Sequence, residues 1–244
     1  MSQVKPFVTL IRYTENPEET IALAAKLCYS DADIATLKNS TENKDNARFI
    51  ERLSEMGHLS TFEHASFTFG IEGVSRAFLA QITRHRIASF SVKSQRYVSA
   101  TKADDTFNYI IPPAIEALGK SAVDKFNQQM AAMQTWYTEW QTLLGGNGES
   151  SNEDARFVLP NASETKMVVT MNARELLHFF ELRCCNRAQW EIREVAWQML
   201  EQVSAVAPNI FKNAGPTCLK GKCGEGVKTC GKMKEVRIRR DQLK

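Results

Sequence analysis

The sequence has no apolar run approaching the roughly 18 residues that span a bilayer, so no membrane contact is expected. Its opening, MSQVKPFVTLIRY, has no long apolar core followed by a small-residue cleavage site, so no secretory leader is expected and the cytoplasm is the default compartment. Charge is nearly balanced, 31 Lys and Arg against 28 Asp and Glu with a formal net charge of +3. That balance argues against a globally polybasic nucleic-acid binder. Gly145-Gly146-Asn147-Gly148 is not followed by Gly-Lys-Ser/Thr, so it reads as a connector and not a phosphate loop. There is no Rossmann fingerprint, internal repeat or linker between independent domains. Six cysteines, at 28, 184, 185, 218, 223 and 230, imply no disulfide framework in a reducing cytoplasm. The last three, in CLKGKCGEGVKTCG, lack a paired CxxC and leave a tetrahedral zinc site one ligand short. No metal site is assigned, and residues 216–244 read as a Gly/Lys-rich, partly mobile tail.

The 244 residues, 43% of them hydrophobic, can bury a proper core. A first strand is predicted at Pro6–Tyr13. Asn16-Pro17-Glu18-Glu19 then opens a helix with a cap, a proline at its first position and acids in its first turn. That helix runs to about Tyr29, and another covers Asn43 to Glu55. Alternating Phe67, Phe69 and Ile71 mark a strand, and residues 75–84 return to helix. A long amphipathic helix follows Pro112-Pro113 and ends at the glycine break. A short helix near Asn152–Phe157, a β segment at Lys166–Met171 and helices at about 173–184 and 187–206 complete a mixed, helix-rich α/β domain over residues 1–215.

Three clusters carry candidate chemistry. Residues 84–97, RHRIASFSVKSQRY, gather Arg84, His85, Arg86, Lys93 and Arg96 with no acidic residue among fourteen positions. Guanidinium forks suit phosphate oxygens and serine hydroxyls add neutral donors. On spacing alone the segment, read as a loop, fits a solvated basic loop, a nucleotide-phosphate site or a nucleic-acid patch. HLSTFEH, residues 58–64, has histidines six apart, which is not a helical pair and makes a two-histidine metal site poor. In MNARELLHFFELRCCNRAQW, residues 171–190, Arg174, His178 and Leu182 share one helical face, Arg183 and Arg187 form a neighbouring row, and Leu176, Leu177, Phe179 and Phe180 form a core stripe.

Together the clusters resemble the flavin-dependent thymidylate synthases, whose signature is RHR, seven residues, then Ser-x-Arg. Here Arg84-His85-Arg86 is followed by IASFSVK and Ser94-Gln95-Arg96. H-x-S/T-x-F-E-H before a strand, the Asn-Ala-Arg helix start and the Leu-Arg…Ala-Gln-Trp-Glu stretch are also similar, and the likeness runs from about residue 7 to residue 211. It implies a homotetramer that methylates dUMP reductively to dTMP, a methyltransferase of nucleotide biosynthesis. Its cofactor would be FAD, with NADPH and 5,10-methylenetetrahydrofolate as co-substrates and no nucleic acid as partner.

By the same resemblance, Gln81, Arg84, Val92, Lys93, Ser94, Gln95, Arg96, Arg156 and Arg183 belong to the dUMP site. Ser60, Glu63, Arg84, His85, Arg86, Ser91, Val92, Asn172, Arg174 and His178 belong to the FAD site. Arg183 maps onto the arginine that polarises the uracil ring and is the catalytic candidate. The chain departs from common family residues at Ser91-Val92, where many relatives have Asn-Glu, and at His178, Arg187 and Cys28. The rival classes are a nucleic-acid-binding module, whose affinity would fall steeply with salt, and a metalloprotein built on the cysteine tail.

Overall fold

A computed structural model describes residues 3–100, 107–146 and 148–243. Its strands are β1 (Phe7–Tyr13), β2 (Ser66–Ser75), β3 (Ala88–Val92) and β4 (Glu164–Asn172), in one sheet ordered β1-β2-β4-β3. Thr14 N–H donates to the Ser66 carbonyl at 2.9 Å and Arg76 N–H to the Ser163 carbonyl at 3.1 Å, the end-to-end pairing of antiparallel neighbours. The helices are α1 (Pro17–Leu27), α2 (Ile34–Thr41), α3 (Ala47–Glu55), α4 (Arg76–Ile82), α5 (Pro113–Glu116), α6 (Lys120–Leu143), α7 (Glu149–Ala155), α8 (Ala173–Arg183), α9 (Trp190–Val206), α10 (Pro208–Phe211) and α11 (Met233–Asp241). Among the described residues no helix is long and apolar enough to cross a membrane. The mixed, helix-rich α/β class agrees with expectation.

The chain divides into two compact units. One takes the residues up to Phe7, Ile71–Arg84 and Ser91–Val168; the other takes Val8–Gly70, His85–Phe90 and Val169 onward. In the first, Phe107, Tyr109, Ile111 and Met130 form a buried cluster flanked by Val123, Phe126 and Leu159. The Tyr137 hydroxyl, buried with that helix face, donates to Asn152 Oδ1 at 3.2 Å and accepts from Ala100 N–H at 3.2 Å. Gly73 sits in the same unit at φ +67°, where a Cβ would stand 2.0 Å from the Lys5 carbonyl oxygen. In the second unit Phe67, Phe180 and Phe211 pack edge to face, with ring centroids 5.4 and 5.9 Å apart. Phe67, Phe69 and Ile71 are all buried while Thr68 and Gly70 are half-buried, the alternation their spacing predicts.

Several expectations change. The basic segment is not all loop, since Ala88–Val92 forms edge strand β3. Ala88, Phe90 and Val92 do alternate with Ser89 and Ser91 and are the less exposed face, but the run is only five residues long and lies among cations, and its pairing with β4 is tertiary. Helix α2 was not anticipated; Asp33 caps it by accepting Thr36 N–H at 2.8 Å. The helix after Pro112-Pro113 breaks at Gly119, φ +90°, into α5 and α6. Asn16 precedes Pro17 in a left-handed conformation, φ 45°, and its side chain makes no capping bond. Helix α8 stops at Arg183, so Arg187 does not continue its face. Asn147, within the glycine connector, lies outside the described residues. The tail is folded: it forms α11, and Arg240, only 6% exposed, donates to the carbonyls of Phe211, Lys212 and Ala214.

Candidate active site

In the second unit the chemistry is organised by the start of α8. Asn172 caps that helix by accepting Glu175 N–H at 2.9 Å. This fixes Glu175 in the first turn, four residues before Phe179, so the carboxylate lies on the buried face and is only 8% exposed. Glu175 Oε1 is 2.9 Å from His85 Nδ1, and His85 Nε2 accepts from Arg183 Nε–H at 3.1 Å. A histidine that accepts at Nε2 carries its proton at Nδ1 and donates it to the carboxylate. Burial holds the His85 imidazolium below its ordinary range and the Arg183 charge pushes the same way, against the Glu175 hydrogen bond. His85 is therefore a neutral relay that transmits the anchoring of Glu175 to the Arg183 guanidinium. The Phe179 ring, 4.9 Å from the imidazole centroid and edge to face with it, closes one side.

Around this buried chain most of the other candidate residues of the unit are exposed, and Asn172 is half-buried. Ser60 and Glu63 lie on a 3-10 turn, Leu59–His64, and are exposed, as are Arg86, Arg174 and His178. The turn replaces a plain connection in HLSTFEH, and His58 meets the Tyr29 hydroxyl at 3.4 Å. Glu63 and Arg174 form an ion pair at 2.5 Å with both side chains about half exposed, so it contributes little stability and is easily exchanged. The His178 ring stands 6.2 Å from that of His85. Exposed arginines with a serine hydroxyl and a helix-start asparagine are a donor set that suits the diphosphate of a dinucleotide.

In the first unit a second cluster forms where β3 ends. Ser94 Oγ accepts Arg96 N–H at 3.1 Å and Tyr97 N–H at 3.5 Å, pinning a tight turn. Asn152 of α7 holds the Arg96 carbonyl at 2.9 Å. The Arg96 guanidinium lies 2.6 Å from Glu149 and 3.0 Å from Glu153, with its side chain 39% exposed. Lys93 pairs with Glu164 at 3.0 Å, and Arg156 Nε donates to the Glu153 carbonyl at 3.0 Å. Gln81, Val92 and Gln95 are half-buried; Arg84 and Ser91 are exposed.

Two residues were missed in the sequence. Glu175, the anchor of His85, was readable as a lone acid on the apolar stripe of α8. Arg76 opens α4, half-buried, and both burial and the neighbouring Arg156 charge pull it below arginine's ordinary range. Arginine keeps its proton nonetheless, so Arg76 and Arg156 are two neighbouring cations.

The profile of the thymidylate synthase complementing protein family matches residues 9–209. A flavin-dependent thymidylate synthase of Geobacter sulfurreducens is 50% identical over 231 residues, covering 94% of this chain and 96% of the relative. Proteins of the same name from Clostridium tetani and Pyrococcus furiosus are 46% and 42% identical, covering 94% and 89% of this chain and 95% and 89% of their own.

Proposed function

We propose a reaction on one premise: the chain belongs to the thymidylate synthase complementing protein family, that of the flavin-dependent thymidylate synthases. It converts dUMP to dTMP by reductive methylation, taking its carbon from 5,10-methylenetetrahydrofolate and its electrons from NADPH by way of FAD. When bound, FAD supplies hydride chemistry that side chains cannot perform. Ser60, Glu63, Arg84, His85, Arg86, Ser91, Val92, Asn172, Arg174 and His178 hold it.

The observation that carries this reading is the buried chain from Glu175 through His85 to Arg183. It fixes a planar, permanently charged fork in advance of substrate. Such a group stabilises charge that develops on a uracil carbonyl and N3 without moving a proton. Gln81, Arg84, Val92, Lys93, Ser94, Gln95, Arg96 and Arg156 hold the nucleotide, with Ser94 and Arg96 on its phosphate. Arg96 must first leave Glu149 and Glu153. Each exposed ion pair is worth about 0–1 kcal/mol and each charge-assisted phosphate contact about 1.5–3 kcal/mol, so contact for contact the exchange favours phosphate.

Assembly is part of the proposal. Trp136, Trp140 and Leu143 follow one another at i, i+4 and i+7 along α6, and their side chains stand about half to three-quarters exposed. An apolar stripe of that size on a helix favours burial against another subunit, and we assign a cytoplasmic homotetramer. Light scattering tests it, and a monomer at micromolar concentration would refute it. The reaction is tested by supplying dUMP, methylenetetrahydrofolate, NADPH and FAD and assaying dTMP. Flavin uptake with dTMP formation is expected, and a flavin-loaded protein that makes no dTMP overturns the reading.

A further inference from the structure

The sequence left the three tail cysteines short of a fourth donor, and the fold brings one to them. Cys185 lies in the connection between α8 and α9. The adjacent Asn186 donates Nδ2–H to Cys230 Sγ at 3.8 Å, which seats the Cys230 turn on that connection. Gly224 N–H donates to Thr217 Oγ1 at 3.0 Å, which ties the residue before Cys218 to the residue after Cys223. Arg237 of α11 donates to the Cys218 carbonyl at 2.9 and 3.0 Å and to the Gly221 carbonyl at 3.2 Å, which docks the Cys218–Cys223 loop on the helix that follows Cys230. Cys28, on the surface, and Cys184, fully buried, stand outside the group.

We propose that Cys185, Cys218, Cys223 and Cys230 are the four ligands of one structural, tetrahedral Zn²⁺. Three further observations support it, and none depends on the reaction assigned above. First, the donors are arranged for thiolates. Arg187 N–H points at Cys185 Sγ at 3.5 Å and Lys232 N–H at Cys230 Sγ at 3.4 Å, besides the Asn186 contact. A thiol is a weak acceptor, whereas a metal-bound thiolate is oriented by such second-layer donors. Gly231, at φ +73°, provides the turn that brings the Lys232 amide back onto Cys230.

Second, residues 220–235 contain no buried residue and only one short 3-10 turn, Gly226–Lys228, besides the start of α11. A stretch without a core is the kind of segment that a metal holds in place. Third, four thiols binding Zn²⁺ release four protons and leave a centre of charge −2. Residues 216–241 carry eight Lys and Arg against three Asp and Glu, a surplus of the sign that balances it. Among the described residues no three donors converge within bonding reach of one ion. Zn–S bonds of about 2.3 Å therefore require the cysteine side chains to rotate between χ1 wells as the ion binds.

The test uses the full chain, purified under reducing conditions and without chelator. Elemental analysis should give one zinc per chain, and Ellman's reagent should reach only the thiols outside the group until the zinc is removed. Replacing zinc with Co²⁺ should produce the intense ligand-field bands of a tetrahedral thiolate site. Cys185→Ser should lose or weaken these bands, whereas Cys28→Ser should keep both the bands and the zinc. If Cys185→Ser fails to fold, Cys223→Ser, at a half-exposed position, gives the same readout. Absence of zinc with all exposed thiols reactive, two disulfides in the native mass, or full zinc and unchanged cobalt bands in the Cys185 and Cys223 variants would each overturn the proposal.

Discussion

Arg183 and Arg96 are held in opposite ways. Arg183 donates to a neutral histidine that is itself 5% exposed and anchored by a buried carboxylate, so its position is set from inside the protein. Arg96 is clamped by two half-exposed carboxylates, its side chain 39% exposed, so water reaches the edge of the pair. The first arrangement suits a group that must already be in place when charge develops, because reorganisation during the reaction raises the barrier. The second suits a group that exchanges one anion for another.

The comparison can be broken most sharply at Arg183. Arg183→Ala should keep flavin and its reduction by NADPH but lose dTMP formation by a factor on the order of a hundred or more. Arg183→Lys should recover little, since a point charge lacks the planar fork. Near wild-type rates in the alanine variant would make Arg183 structural.

Arg96→Ala should weaken dUMP binding roughly ten- to hundredfold, as expected for a lost charge-assisted contact, while flavin stays bound. Equilibrium titration with dUMP reads this directly, and an unchanged affinity would remove Arg96 from the phosphate site.

His85 sharpens the comparison through pH. Folding lowers its pKa, so the unfolded chain binds the proton more readily. The stability contributed by the neutral imidazole is complete above about pH 6.5 and is lost as pH falls from there toward the folded value. The wild type should lose up to about 1.4 kcal/mol per pH unit in that window, and His85→Gln should flatten the slope in denaturant titrations at pH 7.5, 6.5 and 5.5. Parallel curves for the two proteins would place the titration elsewhere.

The smallest effect is expected at the surface clamp. Replacing Glu149 alone with glutamine should tighten dUMP binding by no more than about fivefold, the most that one exposed pair is worth. Weaker binding would mean that the carboxylate positions Arg96 instead of competing for it.

Much of this was legible in the residues, unevenly. Alternating Phe67, Phe69 and Ile71 specify β2 because period-two burial is written locally. The basic segment stood out as a candidate anion site through fourteen positions without an acid, although spacing alone fitted a solvated loop or a nucleic-acid patch as well. Strand β3 was legible only faintly, as the five-residue alternation ASFSV inside a basic segment, and helix α2 was not, being short with little apolar stripe. Nothing in the spacing of Glu149 and Glu153 linked them to Arg96, which lies 53 and 57 residues away. The reach of Cys185 toward the tail was hidden for the same reason, because spacing counts donors along the chain and the fold counts them in space.

Gly73 has a consequence for variation at that site. Its φ of +67° strains any L side chain, and a β-carbon would collide with the Lys5 backbone and not with a side chain able to swing aside. In a saturation library, codon 73 should accept a single amino acid. Gly57 has a similar φ, +74°, but nothing within 4 Å of the missing carbon, and should pass asparagine as well as glycine. Two glycines with nearly the same backbone angle thus differ in mutational tolerance, and the difference comes entirely from what lies beside them.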